Sequence, residues 1–225
     1  MPAPFFRRES AHTRASVRAA PDSCFSDTTP FATALQTSSQ GNGVTMLTEE
    51  LQTLHDITSR LDAGGIEYML TGSMALNCYT QPRMTRDLDL VVAFYLKDAA
   101  RIEAILGSEY YVSVDAAREA VLRQGSFNAI HQSNLVKVDF MVRKAEEYRQ
   151  FEFARRVRVR VADFEVWVVS KEDLILSKLD WARESLSQRQ LADVENLIDS
   201  GCDLDYVRAW SVKLNLIDML TRVSP

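Results

Sequence analysis

Asp87 and Asp89 stand two residues apart on an apolar stretch, Asp87-Leu88-Asp89-Leu90-Val91-Val92, and thirteen residues separate them from a Gly72-Ser73 turn. In an extended chain, residues i and i+2 share a face. Asp87 and Asp89 therefore point together, while Leu88 and Leu90 point into a core. Two carboxylates that close repel each other unless a cation compensates them. Mg²⁺ does so by taking a few carboxylates plus phosphate oxygens. Gly72 lets the backbone approach a ligand closely. Ser73 opens an expected helix, where free N–H groups and a hydroxyl suit phosphate. The combination suits a nucleoside triphosphate handled with a divalent metal. Read alone, the two acids also fit a solvated strand end paired with Arg83 or Arg86, and Gly-Ser fits an ordinary helix cap. The order strand, Gly-Ser, helix, then strand with Asp-x-Asp favours chemistry.

A third carboxylate is available in Lys137-Val138-Asp139-Phe140-Met141, where alternation puts Asp139 on the face opposite Val138 and Phe140. If this strand lies beside the Asp87 strand, three carboxylates converge. Such a trio can hold two metals, or Asp139 can act as general base for an attacking hydroxyl.

The elements that must position these groups are regular from Met46 onward. Thr48 reads as an N-cap with acids after it, and Leu51, Leu54, Ile57 and Leu61 form a helical stripe that ends at Gly64-Gly65. A buried strand is expected over 66–71, a brief helix over 73–79, a strand over 87–94 and a helix over 96–106. Further strands are expected over 110–114, 126–131 and 135–142. A hairpin is expected over 157–169, turning at Ala162-Asp163. Helices are expected over 171–184, 188–199 and 204–220. This order predicts an α/β (α+β) core with a mixed sheet flanked by helices, residues 46–169, and a helical C-terminal portion, 170–225, packed on it.

These residues resemble the nucleotidyltransferase superfamily of the polymerase-beta type. The shared pattern is Leu70-Thr71-Gly72-Ser73, Asp87-Leu88-Asp89-Leu90 and Val138-Asp139-Phe140. More narrowly, Arg83-Met84-Thr85-Arg86-Asp87-Leu88-Asp89 is similar to the AbiEii-type branch, which includes bacterial toxins. That branch adds a helical Lys and a later Asp, matched here by Lys178 and Asp193. The chain departs from the branch at Arg189-Gln190, where Lys-Asp is expected. After Gly-Ser, Ala75 is followed by Leu76-Asn77 rather than the Arg-Gly of the minimal antitoxin-type enzymes.

The resemblance implies transfer of a nucleoside monophosphate from a nucleoside triphosphate to an acceptor hydroxyl. It implies Mg²⁺ on Asp87, Asp89 and Asp139, phosphates at Gly72, Ser73 and Lys178, and Asp193 as a further catalytic acid. The acceptor would be RNA such as tRNA, a protein or a small molecule, and a cognate antitoxin or regulator is a candidate partner. The branch also leaves open a catalytically weak binding partner within a toxin–antitoxin pair. The Asp-x-Asp alone would fit a glycosyltransferase, but the early Gly-Ser and the short chain speak against one.

Other residues read more plainly. Lys178 fits an exposed helix lysine as well as a phosphate contact, and Asp193 fits a pair with Arg189 four residues earlier. The run Arg155-Arg156-Val157-Arg158-Val159-Arg160-Val161 suits a charged edge strand or contact with a polyanion. Arg183 and Arg189 are weaker phosphate candidates. Trp167, Trp181 and Trp210 read as core or helix-packing residues, and His131 has no nucleophile beside it.

The 225 residues carry a net charge of -5, so no global basic field announces nucleic acid. Three scattered cysteines fit a reducing compartment rather than a disulfide framework. No apolar run approaches the roughly 18 residues of a membrane span, so the expectation is a cytoplasmic protein without membrane contact. Residues 1–45 hold four of the six prolines, four Arg and no Lys, without periodicity. They read as a disordered extension, transit-like in bias, or as codons before a misplaced start.

Overall fold

Thr48 starts the first helix, α1 (Glu49–Ala63), its Oγ1 accepting the Leu51 N–H at 3.4 Å. Leu51, Leu54, Ile57 and Leu61 are all buried. Each such side chain contributes about 1.5–3 kcal/mol by leaving water, so this stripe fixes α1 on the sheet. The computed structural model describes residues 47–185 and 187–224. The expectation for 1–45 lies outside the described residues.

The chain continues as β1 (Tyr68–Thr71), α2 (Gly72–Asn77), β2 (Asp87–Val92), α3 (Leu96–Ala99), α4 (Ile102–Leu106), β3 (Tyr110–Val112), α5 (Val114–Arg123), β4 (Ser126–His131) and β5 (Lys137–Val142). Then follow α6 (Glu147–Ala154), β6 (Val157–Val161), β7 (Phe164–Val168), α7 (Lys171–Ser185), α8 (Gln188–Asp199), α9 (Leu204–Lys213) and α10 (Ile217–Val223). The strands form one mixed sheet in the order β3-β4-β5-β2-β1-β7-β6. At its centre β2 pairs antiparallel with β1 and parallel with β5. The sheet is the α/β (α+β) architecture expected.

Alternation along β2 and β5 divides the sheet into two faces. Leu88, Leu90, Val92, Val138, Phe140 and Val142 are buried in the core with the α1 stripe. Asp87, Asp89, Val91, Lys137, Asp139 and Met141 take the opposite face and are exposed or half-buried. On that side α7 packs against α2, α8, α9 and α10.

Two helices escaped the periodicity. In α5, Ser113 Oγ caps the Ala116 N–H at 3.3 Å, and Gln124 ends the helix with φ 50°. Its buried side is mostly small, Ala117, Ala120 and Val121, so it gives little apolar signal. In α6 the buried face includes Glu152, which interrupts the pattern. The helix expected over 204–220 is two helices. Asn215 turns left-handed (φ 56°), and the Leu216 N–H donates back to the Ser211 carbonyl at 2.7 Å. That bond closes a Schellman end. The segment 96–106 likewise splits into α3 and α4.

The C-terminal helices are tied to the rest through a buried carboxylate. Asp173, in the first turn of α7, is fully buried. Its oxygens accept from Ser170 Oγ at 2.6 Å, Tyr206 OH at 2.7 Å, Arg155 Nε at 3.0 Å and Tyr148 OH at 3.2 Å. Removing one partner of a buried charged network costs about 3–5 kcal/mol, because the rest are left uncompensated. Asp173→Ala is therefore expected to lower stability by about that amount in urea unfolding, with Asp173→Asn recovering part. A loss below about 1 kcal/mol would show that the network holds nothing together.

The basic run is already committed to local partners. β6 is an edge strand, as its composition suggested. Arg155 holds Asp173, Arg156 pairs with Glu67 at 2.7 Å, and Arg158 pairs with Glu165 at 3.1 Å. No helix among the described residues is long and apolar enough to cross a membrane.

Candidate functional site

The parallel register of β2 and β5 pairs Asp89 directly with Asp139. The two side chains thus leave adjacent strands on one face, with Cα rows about 4.8 Å apart. Asp87, one pleat earlier on β2, is exposed and stands opposite Lys137. Asp87 and Asp89 follow each other along β2 and Asp139 stands beside Asp89 on β5, so the three aspartates share the open face.

The end of β1 meets this group. Thr71 pairs with Asp89 across the antiparallel ladder, and Gly72 follows with φ 65°. A Cβ built on Gly72 would lie 1.9 Å from Asp89 Oδ2 and 2.6 Å from its Cγ. The Asp89 carboxylate therefore lies against the Gly72 backbone, in space that only glycine leaves.

Burial, followed by the charges of Asp139 and Asp87, pushes the Asp89 carboxyl up to about 6; Lys178 and Lys137 oppose the shift. Lys137 Nζ lies 2.7 Å from Asp139 Oδ2 and balances that carboxylate from the open side.

A second polar cluster borders Gly72 and Ser73. Lys178 on α7 is buried, at 3% exposure, so it is not a surface lysine. Its Nζ donates to Asp193 Oδ2 at 2.8 Å and to Gln190 Oε1 at 3.1 Å. Burial lowers the Lys178 ammonium pKa, the Asp193 partner raises it, and nearby Arg83 lowers it. Asp193 does not pair with Arg189, which is exposed on α8. Its partners are Lys178 and, through Oδ2 at 2.9 Å, Arg83 Nη2. The same Arg83 nitrogen donates to Ser73 Oγ at 2.9 Å. Gln190 stands where the branch carries an acid and acts here as a neutral acceptor for Lys178.

Arg83, one of the two arginines that a solvated strand end would pair with the acids, lies elsewhere. It does not neutralise Asp87 or Asp89 but joins Ser73 to Asp193. Buried Asn77 fixes its backbone, accepting the Arg83 N–H at 3.0 Å and donating to its carbonyl at 2.9 Å. The available signal was Pro82-Arg83 just before Asp-x-Asp.

A cavity of about 360 Å³ is lined by Gly72, Asp89 and Lys178, and so reaches one of the three carboxylates. Val91 and Met141, from the open face, line it with Trp181. Trp181 is 54% exposed, so it belongs to this cavity rather than to the core. Trp210 is half-buried against Tyr148, Phe151 and Tyr206, and Trp167 lies under Arg156 and Arg158, so both pack as expected. Arg183 donates to the Leu214 carbonyl and pairs with Asp180, and His131 stacks edge-on to Tyr110, away from the aspartates.

Among the described residues, no three carboxylate, imidazole or thiolate groups form a ready-made metal cage. The donor set is an open group of hard oxygens. Such a group fits Mg²⁺, which keeps water and takes phosphate oxygens for its remaining positions. The raised Asp89 carboxyl fits as well: burial first, and then repulsion by Asp139 and Asp87, disfavours its charge, and a bound cation would offset both.

Residues 59–216 match the family model described as nucleotidyl transferase AbiEii toxin, Type IV TA system. The solution structure of the antibiotic-resistance factor ANT(2'')-Ia is similar over 79% of this chain and 99% of that one, at 18% identity and TM-score 0.51. The lincosamide antibiotic adenylyltransferase LnuA, with lincomycin bound, is similar over 68% of this chain and 96% of that one, at 15% identity and TM-score 0.45. An antigenic nucleotidyltransferase-like protein from Paracoccidioides brasiliensis is similar over 77% of this chain and 93% of that one, at 16% identity and TM-score 0.49. No curated protein matches the sequence. At these identities the structural likeness concerns the fold alone, while the family match spans well over half of the chain. The protein belongs to the AbiEii nucleotidyl transferase family and is a nucleotidyltransferase.

Proposed function

We propose that the protein moves a nucleoside monophosphate from a nucleoside triphosphate to an acceptor hydroxyl, with Mg²⁺, using Asp87, Asp89, Asp139 and Lys178. The observation that carries this reading is the in-register pair Asp89–Asp139 with Gly72 packed against Asp89. It brings two carboxylates and the Gly72 backbone into one small volume.

Asp87, Asp89 and Asp139 would hold the metal, which when bound neutralises phosphate charge and polarises the reacting oxygens. The acceptor oxygen forms a bond to the α-phosphorus, the bond from that phosphorus to the β-bridging oxygen breaks, and the electron pair leaves with pyrophosphate. Lys137 engages Asp139 Oδ2, so where Asp139 serves as the base instead of a metal ligand, Oδ1 would take the acceptor proton. Lys178, held by Asp193 and Gln190, supplies fixed positive charge for the leaving phosphates, where a dry environment strengthens it. The cavity past Asp89 offers Trp181, Val91 and Met141 to the apolar parts of donor or acceptor. The family's description adds a cognate antitoxin as the partner this reading expects.

The test is incubation of the full chain with each labelled nucleoside triphosphate, Mg²⁺ and separate pools of RNA, protein and small molecules. Label is expected to move to one pool, and Asp139→Ala is expected to lower the rate at least about 10³-fold, as loss of a group acting directly in transfer does. Failure of the wild type to bind any nucleotide in calorimetry with Mg²⁺ would overturn the reading.

A further inference from the structure

Of the residues that β2 and β5 present on the open face, Asp87, Asp89, Val91, Lys137, Asp139 and Met141, Lys137 alone is a cation. It stands opposite Asp87 in the parallel register and two residues before Asp139, so its stem leaves the sheet beside both carboxylates. Its Nζ lies 2.7 Å from Asp139 Oδ2, and the two side chains are 42% and 27% exposed. An ion pair that open to water contributes little to the fold, so it can part without unfolding anything. The ammonium ends a flexible four-carbon stem and can move away. Lys178 differs: it is buried and held by Asp193 and Gln190, so its charge is fixed. The oxygen that Lys137 holds is one that a metal on Asp139 needs. A divalent ion about 2.1 Å from Oδ2 would stand within about 5 Å of an ammonium that is itself 2.7 Å from the same oxygen. Two cations that close repel each other. Lys137 and a metal therefore exclude each other, in part, from Asp139.

Resting on the metal and nucleotide reading above, we propose that Lys137 is a tethered cation that competes with the divalent ion for Asp139, so that the free protein holds metal weakly and takes it up together with the nucleotide. A metal ion arriving alone must displace the ammonium from Oδ2 with nothing to receive it. An ion arriving with a triphosphate brings negative oxygens to which the ammonium can turn, so the displacement costs less. By linkage, metal and nucleotide then strengthen each other's binding by the same factor, and Lys137 carries part of that coupling.

The test uses Mn²⁺, which suits the same carboxylate ligands as Mg²⁺ and whose free ion is counted by electron paramagnetic resonance. The full chain is titrated without nucleotide and then with a non-hydrolysable nucleoside triphosphate. Lys137→Met is expected to bind Mn²⁺ at least about fivefold more tightly than wild type without nucleotide, and less than about twofold more tightly with it. Lys137→Gln keeps a polar side chain at this half-exposed position and is expected to show the same change, so the proposal remains testable if the Met variant is unstable. In an Asp139→Asn background the gain from Lys137→Met is expected to vanish, because the charge under competition is gone. A gain that survives Asp139→Asn would show a diffuse field in place of competition, and no gain in either Lys137 variant would show a surface ion pair alone. Each of these results would overturn the role given to Lys137 and leave the transferase reading standing. Absence of Mn²⁺ binding by wild type and both variants, with and without nucleotide, would overturn both.

Discussion

Asp89→Asn is expected to lower nucleotidyl transfer at least about 10³-fold and, in the absence of metal, to make the fold more stable at pH 8. The activity loss follows if Asp89 is a metal ligand and contributes mainly in the transition state. The stability gain follows from the folded-state environment. The carboxyl sits at about 6 in the fold against an ordinary 3.8, raised first by burial and then by Asp139 and Asp87. A raised acid pKa means the folded state disfavours the ionised form. Below about pH 4 the group is protonated in both states and costs nothing. Between 3.8 and about 6 the unfolded chain ionises first, so stability falls as pH rises, and above about 6 the full penalty remains.

An amide of the same shape removes that penalty, so the variant should gain about 1–3 kcal/mol at pH 8 and almost nothing at pH 4. Saturating Mg²⁺ should reverse the order at pH 8, because only the wild type gains binding free energy. Urea titrations at pH 4, 6 and 8, with chelator and with Mg²⁺, give the comparison. A variant less stable than wild type in chelator at pH 8 would contradict the electrostatic account. This trade of stability for a charged site is common at functional positions.

The reach of the sequence followed the strength of local patterns. The β2 alternation was unmistakable because four apolar residues, Leu88, Leu90, Val91 and Val92, surround the two acids, and the structure puts Leu88, Leu90 and Val92 in the core. The neighbouring position of Asp139 rested on strand order, which no local pattern encodes, yet the parallel register pairs it with Asp89. Helix α5 hid because alanines bury a face without an apolar stripe, and α6 hid because its buried face carries Glu152. Of the two readings open for Asp193, the local pair with Arg189 does not form, for a different reason. Sequence offers i−4 neighbours, whereas the contacts that matter come from Lys178, 15 residues earlier, and Arg83, 110 residues earlier. Such pairings depend on how α7 and α8 meet the loop before β2. That is tertiary information: Arg83 joins the cluster through Ser73 and Asp193, on a backbone that Asn77 holds.

Gly72→Ala is expected to remove nearly all activity, at least about 10²-fold, while lowering stability by only about 1–2 kcal/mol. Two costs act together and fall on different properties. The φ of 65° is one a glycine adopts freely, and an L-residue there is strained by about 1 kcal/mol. The added Cβ would also lie 1.9 Å from Asp89 Oδ2. Asp89 is half-buried on the open face and its carboxylate can rotate away, while its Cβ, 2.9 Å from the new one, moves only with a small backbone shift. Relieving the overlap moves the carboxylate off its position beside Asp139, and displacements near 1 Å cost catalysis about 10². The separation of these effects is testable with a double-mutant cycle. Asp89→Ala removes the carboxyl group, the nearer part of the overlap, and keeps only the Cβ 2.9 Å away, so in its background Gly72→Ala should cost the backbone strain and that smaller contact. The coupling free energy from denaturation should favour the double variant by about 0.5–1 kcal/mol. In activity the two changes should not add, because either alone displaces or removes the same carboxylate. A Gly72→Ala variant that keeps more than a tenth of wild-type transfer would show that Asp89 works from some other position. The contact between the β1 turn and the β2 carboxylate would then be packing alone.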